Sequence, residues 1–270
     1  MDEIVNDLSS QALLPALERN MVEYFVAWGR GAGNEIYEGE DFARYCTGIP
    51  YGIFNGILHA RLAPESVDPV IEQNLAYIMS KEVPFNWWVG PSTQPSNLGI
   101  RLEQNGFVQD YDELGLAVDL LNMNDDLPVP ENFTYKTSDD LDFLRTWDRL
   151  VWKGFELPEA GLLKAKDLDA SLRGNPKRQR FIGYVNWVPV ATSALVLHAG
   201  VAGIYSVSTL PEARRRGFGA AITLAPLLAA RDMGYRVATL QASPMGYPVY
   251  RRIGFKEVCH VSTYRSPKEV

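Results

Sequence analysis

The chain has 270 residues, 46% of them apolar and 22% charged, which is typical of a globular protein with one large or two ordinary domains. Its net charge of −7 argues against a nucleic-acid partner, because no basic face is available to neutralise phosphates. The sequence has no long uncharged apolar run, so no membrane span is predicted. Its acidic start does not resemble a secretory leader, so a cytoplasmic location is expected.

Cys46 and Cys259 have neither the spacing of metal ligands nor the number of a disulfide framework. We therefore expect buried free thiols and no metal site.

The first half contains a glycine-rich run, Gly29-Arg30-Gly31-Ala32-Gly33, after the amphipathic segment Met21 to Trp28. Because the run does not follow a strand, a flexible turn between two helices is predicted and not a nucleotide loop. Further on, a strand (Pro84 to Gly90), a short helix (Asn97 to Gln104) and a strand from Gly106 to Leu120 are predicted. Trp87-Trp88 in the first of these strands is interpreted as a buried pair, with the wall of an acceptor pocket as the alternative.

Asn122 to Asn132 is rich in Asp, Asn and Pro and has no apolar period. It is predicted to be a linker between a domain at 1–121 and a domain at 133–270.

The second half predicts a regular order of elements. These are a helix (Asp139 to Trp152), three strands (Gln179 to Val185, Val190 to His198, Val201 to Thr209), a helix (Phe218 to Met233), a strand (Val237 to Gln241), a short helix (Pro248 to Arg252) and a last strand (Phe255 to Tyr264). Antiparallel strands followed by strand–helix–strand indicate an α+β fold built on a mixed sheet.

The two halves end alike. Leu102-Glu103-Gln104-Asn105-Gly106-Phe107 aligns with Tyr250-Arg251-Arg252-Ile253-Gly254-Phe255, and the flanking elements follow the same order. The chain is therefore predicted to be a tandem repeat of one fold.

One segment predicts chemistry: Arg214-Arg215-Arg216-Gly217-Phe218-Gly219-Ala220, between a strand end and a long helix. A glycine-rich turn at a helix N-terminus directs unpaired backbone N–H groups at one point, where the helix dipole also favours negative charge. The arginines add countercharge, so a pyrophosphate site is predicted. The patterns of a P-loop and of a dinucleotide fold are both absent.

Arg-x-x-Gly-x-Gly-Ala after an apolar strand resembles the central motif of the Gcn5-related N-acetyltransferases, the GNAT family. Ser243, Tyr250 and Gly254-Phe255 also match that family's downstream positions. The resemblance covers about Tyr135 to Tyr264 well, and the first half as a degenerate copy. It implies the GNAT fold, a mixed and mostly antiparallel sheet flanked by helices, in two tandem copies, with acetyl-CoA as acyl donor.

The resemblance also implies roles for single residues. Backbone groups of Val207, Ser208 and Thr209 would bind the pantetheine arm like an added strand, and Ser243 would contact acetyl-CoA near its thiol end. The pyrophosphate would be bound by the segment Arg214, Arg215, Arg216, Gly217, Phe218, Gly219 and Ala220. Tyr250 would be the general acid that protonates the leaving thiolate, since a phenol of ordinary pKa about 10 is protonated at neutral pH. A packed aromatic ring is the alternative for Tyr250.

The general base is left open among Glu156, Glu159 and Tyr205, and His198 is expected in a surface turn. In the first half the loop position reads Ala63-Pro64-Glu65-Ser66-Val67-Asp68-Pro69, with two acids and no Gly-x-Gly, and the tyrosine position is Leu102. This half is therefore expected to bind no acetyl-CoA.

The sequence predicts an acetyl-CoA-dependent N-acetyltransferase that acts on a small-molecule amine by direct attack, without metal or covalent enzyme intermediate. A non-catalytic acyl-CoA sensor and an enzyme that acylates a protein or peptide are the alternatives. Acyl length, acceptor identity and the choice between monomer and homodimer stay open.

Overall fold

The structure is a computed structural model that describes residues 3–165 and 168–267. The helices in this part of the chain are α1 (Ser10–Gly29), α2 (Val67–Lys81), α3 (Leu98–Gln104), α4 (Leu141–Gly154), α5 (Glu159–Ala165), α6 (Phe218–Asp232) and α7 (Tyr247–Ile253). The strands are β1 (Glu35–Glu38), β2 (Ala43–Cys46), β3 (Asn55–Leu58), β4 (Asn86–Val89), β5 (Val108–Asp119), β6 (Phe133–Thr137), β7 (Arg178–Val185), β8 (Val188–His198), β9 (Val201–Thr209), β10 (Val237–Ala242) and β11 (Lys256–Arg265).

The chain divides into two compact units. The C-terminal unit comprises the described residues up to Met21 together with Gly115–Val258. The N-terminal unit comprises Val22–Leu114 together with the described residues from Cys259 onward. These units differ from the predicted domains at 1–121 and 133–270. The described residues up to Met21 belong to the C-terminal unit, and those from Cys259 onward belong to the N-terminal unit.

The sheet of the C-terminal unit has the order β5-β10-β9-β8-β7-β6. Neighbours from β6 to β9 are antiparallel, whereas β9 and β10 are parallel and are connected through α6. Apolar residues cover most of α6, which is buried along much of its length, and the left-handed Gly234 (φ 87°) follows its end. Helix α4 begins where the Asp140 carboxylate accepts a hydrogen bond from the Phe143 amide at 2.8 Å.

The sheet of the N-terminal unit has the order β1-β2-β3-β4-β11. It repeats the same connections, since β2 and β3 are antiparallel and β3 and β4 are parallel with α2 between them. Helix α3 follows β4 as α7 follows β10. The predicted α+β fold of two tandem copies is confirmed.

The last strand of each repeat explains why the units are not linear segments of the chain. Strand β5 ends the first repeat, yet its C-terminal part lies beside β10, where Leu120 N donates to Arg236 O at 2.8 Å. Strand β11 ends the second repeat, yet Ser262 to Arg265 pair antiparallel with β4. A sequence comparison of the halves cannot reveal this exchange, because the choice of partner strand depends on tertiary contacts.

The predicted linker has no helix or strand, but it is packed within the C-terminal unit. Met123 is buried, and Asn124 N donates to Ile253 O at 2.8 Å. Asp125 pairs with Arg231 at 2.8 Å. The segment is therefore part of that unit's surface.

The predicted helix-to-helix turn at Gly29–Gly33 is wrong, because the run connects α1 to strand β1. Arg30 pairs with Glu23 at 2.8 Å and with Glu38 at 2.5 Å, which ties the helix end to that strand. Strands β1, β2 and β6 and helices α2 and α5 were not predicted.

The interpretation of Trp87-Trp88 as a buried pair is confirmed, since their side chains are 0% and 4% exposed. Trp87 meets Phe107 edge to face at 5.8 Å, within a core that includes Phe85 and Leu102. In the described part of the chain no helix is both long and apolar enough to cross a membrane.

Asn20 on α1 joins that helix to the sheet of the C-terminal unit. Its side chain is fully buried, and Nδ2 lies 3.0, 3.0 and 3.2 Å from the carbonyl oxygens of Val196, His198 and Val201. Its Oδ1 accepts a hydrogen bond from the Tyr205 hydroxyl at 2.8 Å. One amide thus satisfies polar groups on both strands of the β8–β9 hairpin.

We predict that Asn20→Ala lowers the free energy of unfolding by about 2 to 4 kcal/mol, because it removes several buried hydrogen bonds at once. Tyr205→Phe removes only one of these hydrogen bonds and should cost about 1 kcal/mol. Urea unfolding measures both. A loss below that of Tyr205→Phe in the Asn20 variant would show that water replaces the amide.

Candidate active site

Strands β9 and β10 diverge after their first residues. Their parallel pairing includes Ala202 with Ala238 and Gly203 with Thr239, and no later pair is formed in the described structure. Strand β9 continues to Thr209 with only β8 beside it. The β10-facing edge of Val207–Thr209, here called the open edge, therefore presents backbone groups to which an extended ligand can bond like a further strand.

A bulge in β9 shapes the open edge. The register with β8 shifts between Thr192 and Ala194, and Ser206 adopts a left-handed φ of 47°. The Thr192 hydroxyl donates to Ser206 O at 2.9 Å and lies 2.7 Å from Ser208 Oγ. The Ser208 side chain is buried in this network, which leaves its backbone groups for the predicted contact with a ligand.

The segment Arg214–Ala220, here called the phosphate loop, leaves several amides unbonded. Ala213 N and Arg214 N donate to backbone carbonyls, and the next such donor in this stretch is Ala221 N, which bonds Gly217 O at 3.1 Å. Arg215 (φ 61°) and Gly217 (φ 86°) are left-handed and turn the chain into α6. The amides between them and those of the first helical turn form a cluster of donors that suits a phosphate.

The space beside Gly219 tests whether a bound group fits here. A Cβ built on Gly219 would lie 3.7 Å from Thr209 Oγ1. Apart from its chain neighbours and the backbone of its own helix, it would lie within 4 Å of no other described atom. Packing in the free protein therefore does not require glycine at this position. Gly217 differs, because its φ is left-handed and an added Cβ would lie 3.2 Å from Pro130 Cγ. The open space at Gly219 fits a group held by the loop.

The three arginines separate into two kinds. Arg215 and Arg216 are exposed, and the Arg216 guanidinium lies 5.0 Å from the centre of the Phe218 ring. The guanidinium of Arg214 bonds Gly154 O, Thr209 O and Glu156. The predicted countercharge is therefore reduced to two arginines, since the charge of Arg214 is already paired.

Ser243 lies exposed at the end of β10, where it begins the turn into α7. Its carbonyl accepts from Gly246 N and Tyr247 N, each at 3.0 Å. Its Oγ also accepts from Gly246 N at 3.3 Å. The residue thus caps the turn that carries Tyr250.

The Tyr250 ring lies on α7, 8% exposed, against Gly246 and Phe255. A Cβ built on Gly246 would lie 2.8 Å from a Tyr250 ring carbon and 3.3 Å from its hydroxyl, so only glycine leaves room for the ring. The left-handed Gly254 (φ 112°) ends the helix, and the amides of Gly254 and Phe255 both bond Tyr250 O. The Gly-Phe turn is therefore what closes the helix around Tyr250.

These parts meet at one edge of the C-terminal unit. The carboxyl ends of the parallel strands β9 and β10 share an edge, α6 begins after the first, and α7 follows the second. The element order thereby places the open edge, the phosphate loop, Ser243 and Tyr250 at this edge.

Two of the three candidate bases have other partners. Glu156 pairs with Arg214 at 2.8 Å, and the Tyr205 hydroxyl donates to Asn20. Glu159 is exposed in the first turn of α5, with no hydrogen bond or ion pair to any described residue. His198 ends β8 and is followed by the left-handed Ala199 and Gly200, so the expected turn is present, but both turn residues are buried and the turn is not on the surface.

In the N-terminal unit the counterpart of the open edge is closed. Leu62 N donates to Gln94 O and Gln94 N donates to Ala60 O, both at 2.9 Å, around a parallel bridge between Arg61 and Gln94. The 3₁₀ turn Pro64–Ser66 leads directly into α2, so no glycine loop is present. A shallow depression remains, lined by Arg61, Leu62, Pro64 and residues 91–96. The backbone groups that correspond to the open edge are already bonded here.

Sequence reasoning did not identify Gly154, Thr192 or Gly246 as parts of the site. Gly154 ends α4 so close to β9 that an added Cβ would lie 2.7 Å from Ser208 Cβ. A glycine that ends a helix is too common to single out, and its neighbour here is distant in sequence. Gly246 could have been found from its place four residues before Tyr250, on the same helical face.

Both cysteines are free thiols, but the predicted burial holds for Cys46 only, because Cys259 is half-buried. Within the described residues there is no group of three or more His, Cys, Asp or Glu side chains that could hold a metal ion.

Comparison with known proteins assigns this site to a family. Residues 169–258 match the family model of the acetyltransferase (GNAT) domain. This region is a GNAT acetyltransferase domain. It contains the open edge, the phosphate loop, Ser243 and Tyr250, and acetyl-CoA is the acyl donor of the family.

Solved structures show the same fold along nearly the whole chain. A GCN5-related N-acetyltransferase from Kribbella flavida has a TM-score of 0.71 at 16% identity, over 93% of this chain and 96% of its own. One from Sphaerobacter thermophilus has a TM-score of 0.62 at 16% identity, over 100% and 96%. A tandem GNAT protein from the clavulanic acid biosynthesis pathway has a TM-score of 0.58 at 13% identity, over 98% and 97%. No similar sequence was found among curated proteins.

Proposed function

We propose that the C-terminal unit transfers an acetyl group from acetyl-CoA to the primary amine of a small molecule by direct attack. The observation that carries this proposal is the open edge of β9 beside unbonded amides of the phosphate loop. Acetyl-CoA has an extended pantetheine arm followed by a pyrophosphate, so it matches the open edge and the phosphate loop at once. Neither part alone distinguishes acetyl-CoA from other phosphate-bearing ligands.

The chain's own groups have distinct tasks in this reaction. Backbone groups of Val207–Thr209 align the pantetheine arm, and the amides of Arg215–Ala220 hold the pyrophosphate, with Arg215 and Arg216 as countercharge. Ser243 contacts the arm near the thioester. The amine nitrogen forms a bond to the acetyl carbon, the carbon–sulfur bond breaks, and Tyr250 donates a proton to the leaving sulfur.

The amine loses its proton to a base or to water, which leaves the amide product and free CoA. Glu159 is the candidate carboxylate that has no partner among the described residues. We place the acetylation site in the predicted domain 133–270, and we assign packing to the predicted domain 1–121. We also retain the cytoplasm as the predicted compartment.

Titration calorimetry with acetyl-CoA, followed by thiol release in the presence of an amine panel, tests the proposal. We expect one acetyl-CoA bound per chain and steady thiol release with at least one small amine. Binding of two molecules per chain would contradict the assignment of a single site. Absence of binding would reject the acetyltransferase proposal.

Two other functions remain as outcomes of this assay. Tight acetyl-CoA binding without thiol release for any small amine or peptide identifies a non-catalytic acyl-CoA sensor. Release with lysine or N-terminal peptides but not with small amines identifies a protein acetyltransferase. The retained Tyr250 favours an enzyme over a sensor, because a sensor has no leaving thiolate to protonate.

A further inference from the structure

The Arg214 guanidinium lies at a junction of three chain segments in the C-terminal unit. Nε donates to Thr209 O at 3.2 Å, at the end of the open edge. Nη2 donates to Gly154 O at 2.8 Å, at the end of α4, and Nη1 lies 2.8 Å from a carboxylate oxygen of Glu156. Its backbone belongs to the phosphate loop, so one side chain connects that loop to both other segments.

The segment after α4 is a strained, hydrogen-bonded turn. Glu156 adopts a left-handed φ of 54°, which is uncommon for a residue other than glycine. The amides of Phe155, Glu156 and Leu157 donate back to carbonyls of α4 at 3.0 to 3.1 Å. The carboxylate of Glu156 forms the ion pair with Arg214, so the left-handed residue of this turn is also tied to the phosphate loop. We call residues 154–157 the α4 turn.

The contact between Gly154 and Ser208 places the α4 turn against the strand that would hold the pantetheine arm. An added Cβ at Gly154 would overlap the Ser208 side chain, so the two backbones are as close as side chains permit. Any shift of the α4 turn is therefore transmitted to the open edge.

We propose that Arg214 is a positioning residue that fixes the open edge and the phosphate loop against the α4 turn, and that it is not a ligand of the pyrophosphate. The inference rests on the proposed acetyl-CoA site. Two observations carry it. All three guanidinium nitrogens already have acceptors, and the Glu156 carboxylate neutralises the charge that a phosphate would need.

Arginine is suited to this task and lysine is not. The three acceptors of Arg214 lie around a planar group whose donors point in fixed directions. An ammonium group at the end of a flexible chain reaches one or two of them. A lysine at position 214 thus keeps the charge and loses the geometry, which separates a positioning role from an electrostatic one.

The test compares Arg214→Gln, Arg214→Lys, Glu156→Gln and the charge control Arg215→Gln in the full chain. Acetyl-CoA affinity is measured by calorimetry over a range of salt concentrations. Amide hydrogen exchange at residues 155–157 is measured without ligand. For Arg214→Gln and Arg214→Lys we expect at least fivefold weaker affinity with the salt dependence of the wild type, and faster exchange in the α4 turn.

For Arg215→Gln we expect unchanged amide exchange in the α4 turn and a shallower salt dependence of acetyl-CoA affinity, because an exposed cation acts through screened charge. Glu156→Gln releases the charge of Arg214 and should steepen the salt dependence. If Arg214→Gln does not fold, Arg214→Lys decides the matter alone.

Recovery of wild-type affinity by Arg214→Lys would overturn the proposal, as would a shallower salt dependence in Arg214→Gln. Unchanged exchange in the α4 turn would also overturn it. If the wild type binds no acetyl-CoA, the proposed function fails, while the exchange data still decide whether Arg214 holds the turn.

Discussion

Gly219→Ala should make the protein more stable and its acetyl-CoA binding weaker. Position 219 is helical in α6, and an added Cβ meets only Thr209 Oγ1, at an ordinary contact distance of 3.7 Å. Replacing glycine by alanine at a compatible position stabilises a protein by about 0.4 to 1 kcal/mol, mainly by reducing the entropy of the unfolded chain. The same methyl group occupies the space assigned to the phosphate, so we expect affinity to fall about tenfold.

Gly219→Glu extends the same test and should abolish measurable binding. A carboxylate about 4 Å from a phosphate costs about 4 kcal/mol at an effective dielectric constant of 20, which corresponds to a loss of about a thousandfold. Thermal unfolding and calorimetry measure stability and affinity on the same samples. In Gly219→Ala, higher stability together with weaker acetyl-CoA affinity distinguishes loss of a ligand contact from general damage to the fold.

Gly217→Ala is the matched control in the same loop. Its φ of 86° strains any other residue by about 1 to 2 kcal/mol, so this variant should be less stable than the wild type. A stabilised Gly219→Ala that binds acetyl-CoA like the wild type would show that the phosphate does not approach Gly219. In that case the loop amides would bind from another direction.

The phosphate loop was predictable because its signal is local. Unpaired amides, a left-handed glycine and a following helix all belong to one continuous segment, and the structure has the glycine at Gly217 and the helix start at Phe218. The turn around Tyr250 was predictable for the same reason, since Gly254 ends the helix that Tyr250 lies on.

The role of Arg214 was not predictable from the segment that contains it. In the sequence it is one of three adjacent arginines, and all three add positive charge to the same loop. The structure separates them because Gly154 and Glu156, about sixty residues earlier, supply acceptors for only one of the three. Charge is visible in a sequence, whereas the pairing of that charge depends on tertiary contacts.

The division of the chain into units was beyond the sequence for a related reason. Strands β5 and β11 end equivalent repeats, and local strand propensity does not specify which sheet each one joins. The role of Asn20 is likewise non-local. A polar residue within an amphipathic helix has no visible partner until the β8–β9 hairpin is placed against it.

Tyr250→Phe should lower turnover by about ten- to a thousandfold and leave acetyl-CoA affinity within about twofold of the wild type. General acids contribute roughly hundred- to ten-thousandfold to rates, and water can replace part of that contribution here. The ring itself is buried against Gly246 and Phe255, so phenylalanine keeps its packing. Because the phenol acts when the carbon–sulfur bond breaks, its removal affects the chemical step and not the bound ground state.

Tyr247→Phe is the control for this experiment, since Tyr247 lies on the same helix. Its hydroxyl donates to the Glu257 carboxylate, which fixes it in a surface contact. We expect turnover close to that of the wild type in this variant. Single-turnover kinetics with acetyl-CoA and the best amine of the panel measure the chemical step, and calorimetry measures affinity. Equal turnover in the Tyr250 variant and the wild type would remove the tyrosine from the mechanism and assign the proton to water, while a parallel loss of affinity would show that the hydroxyl positions acetyl-CoA instead.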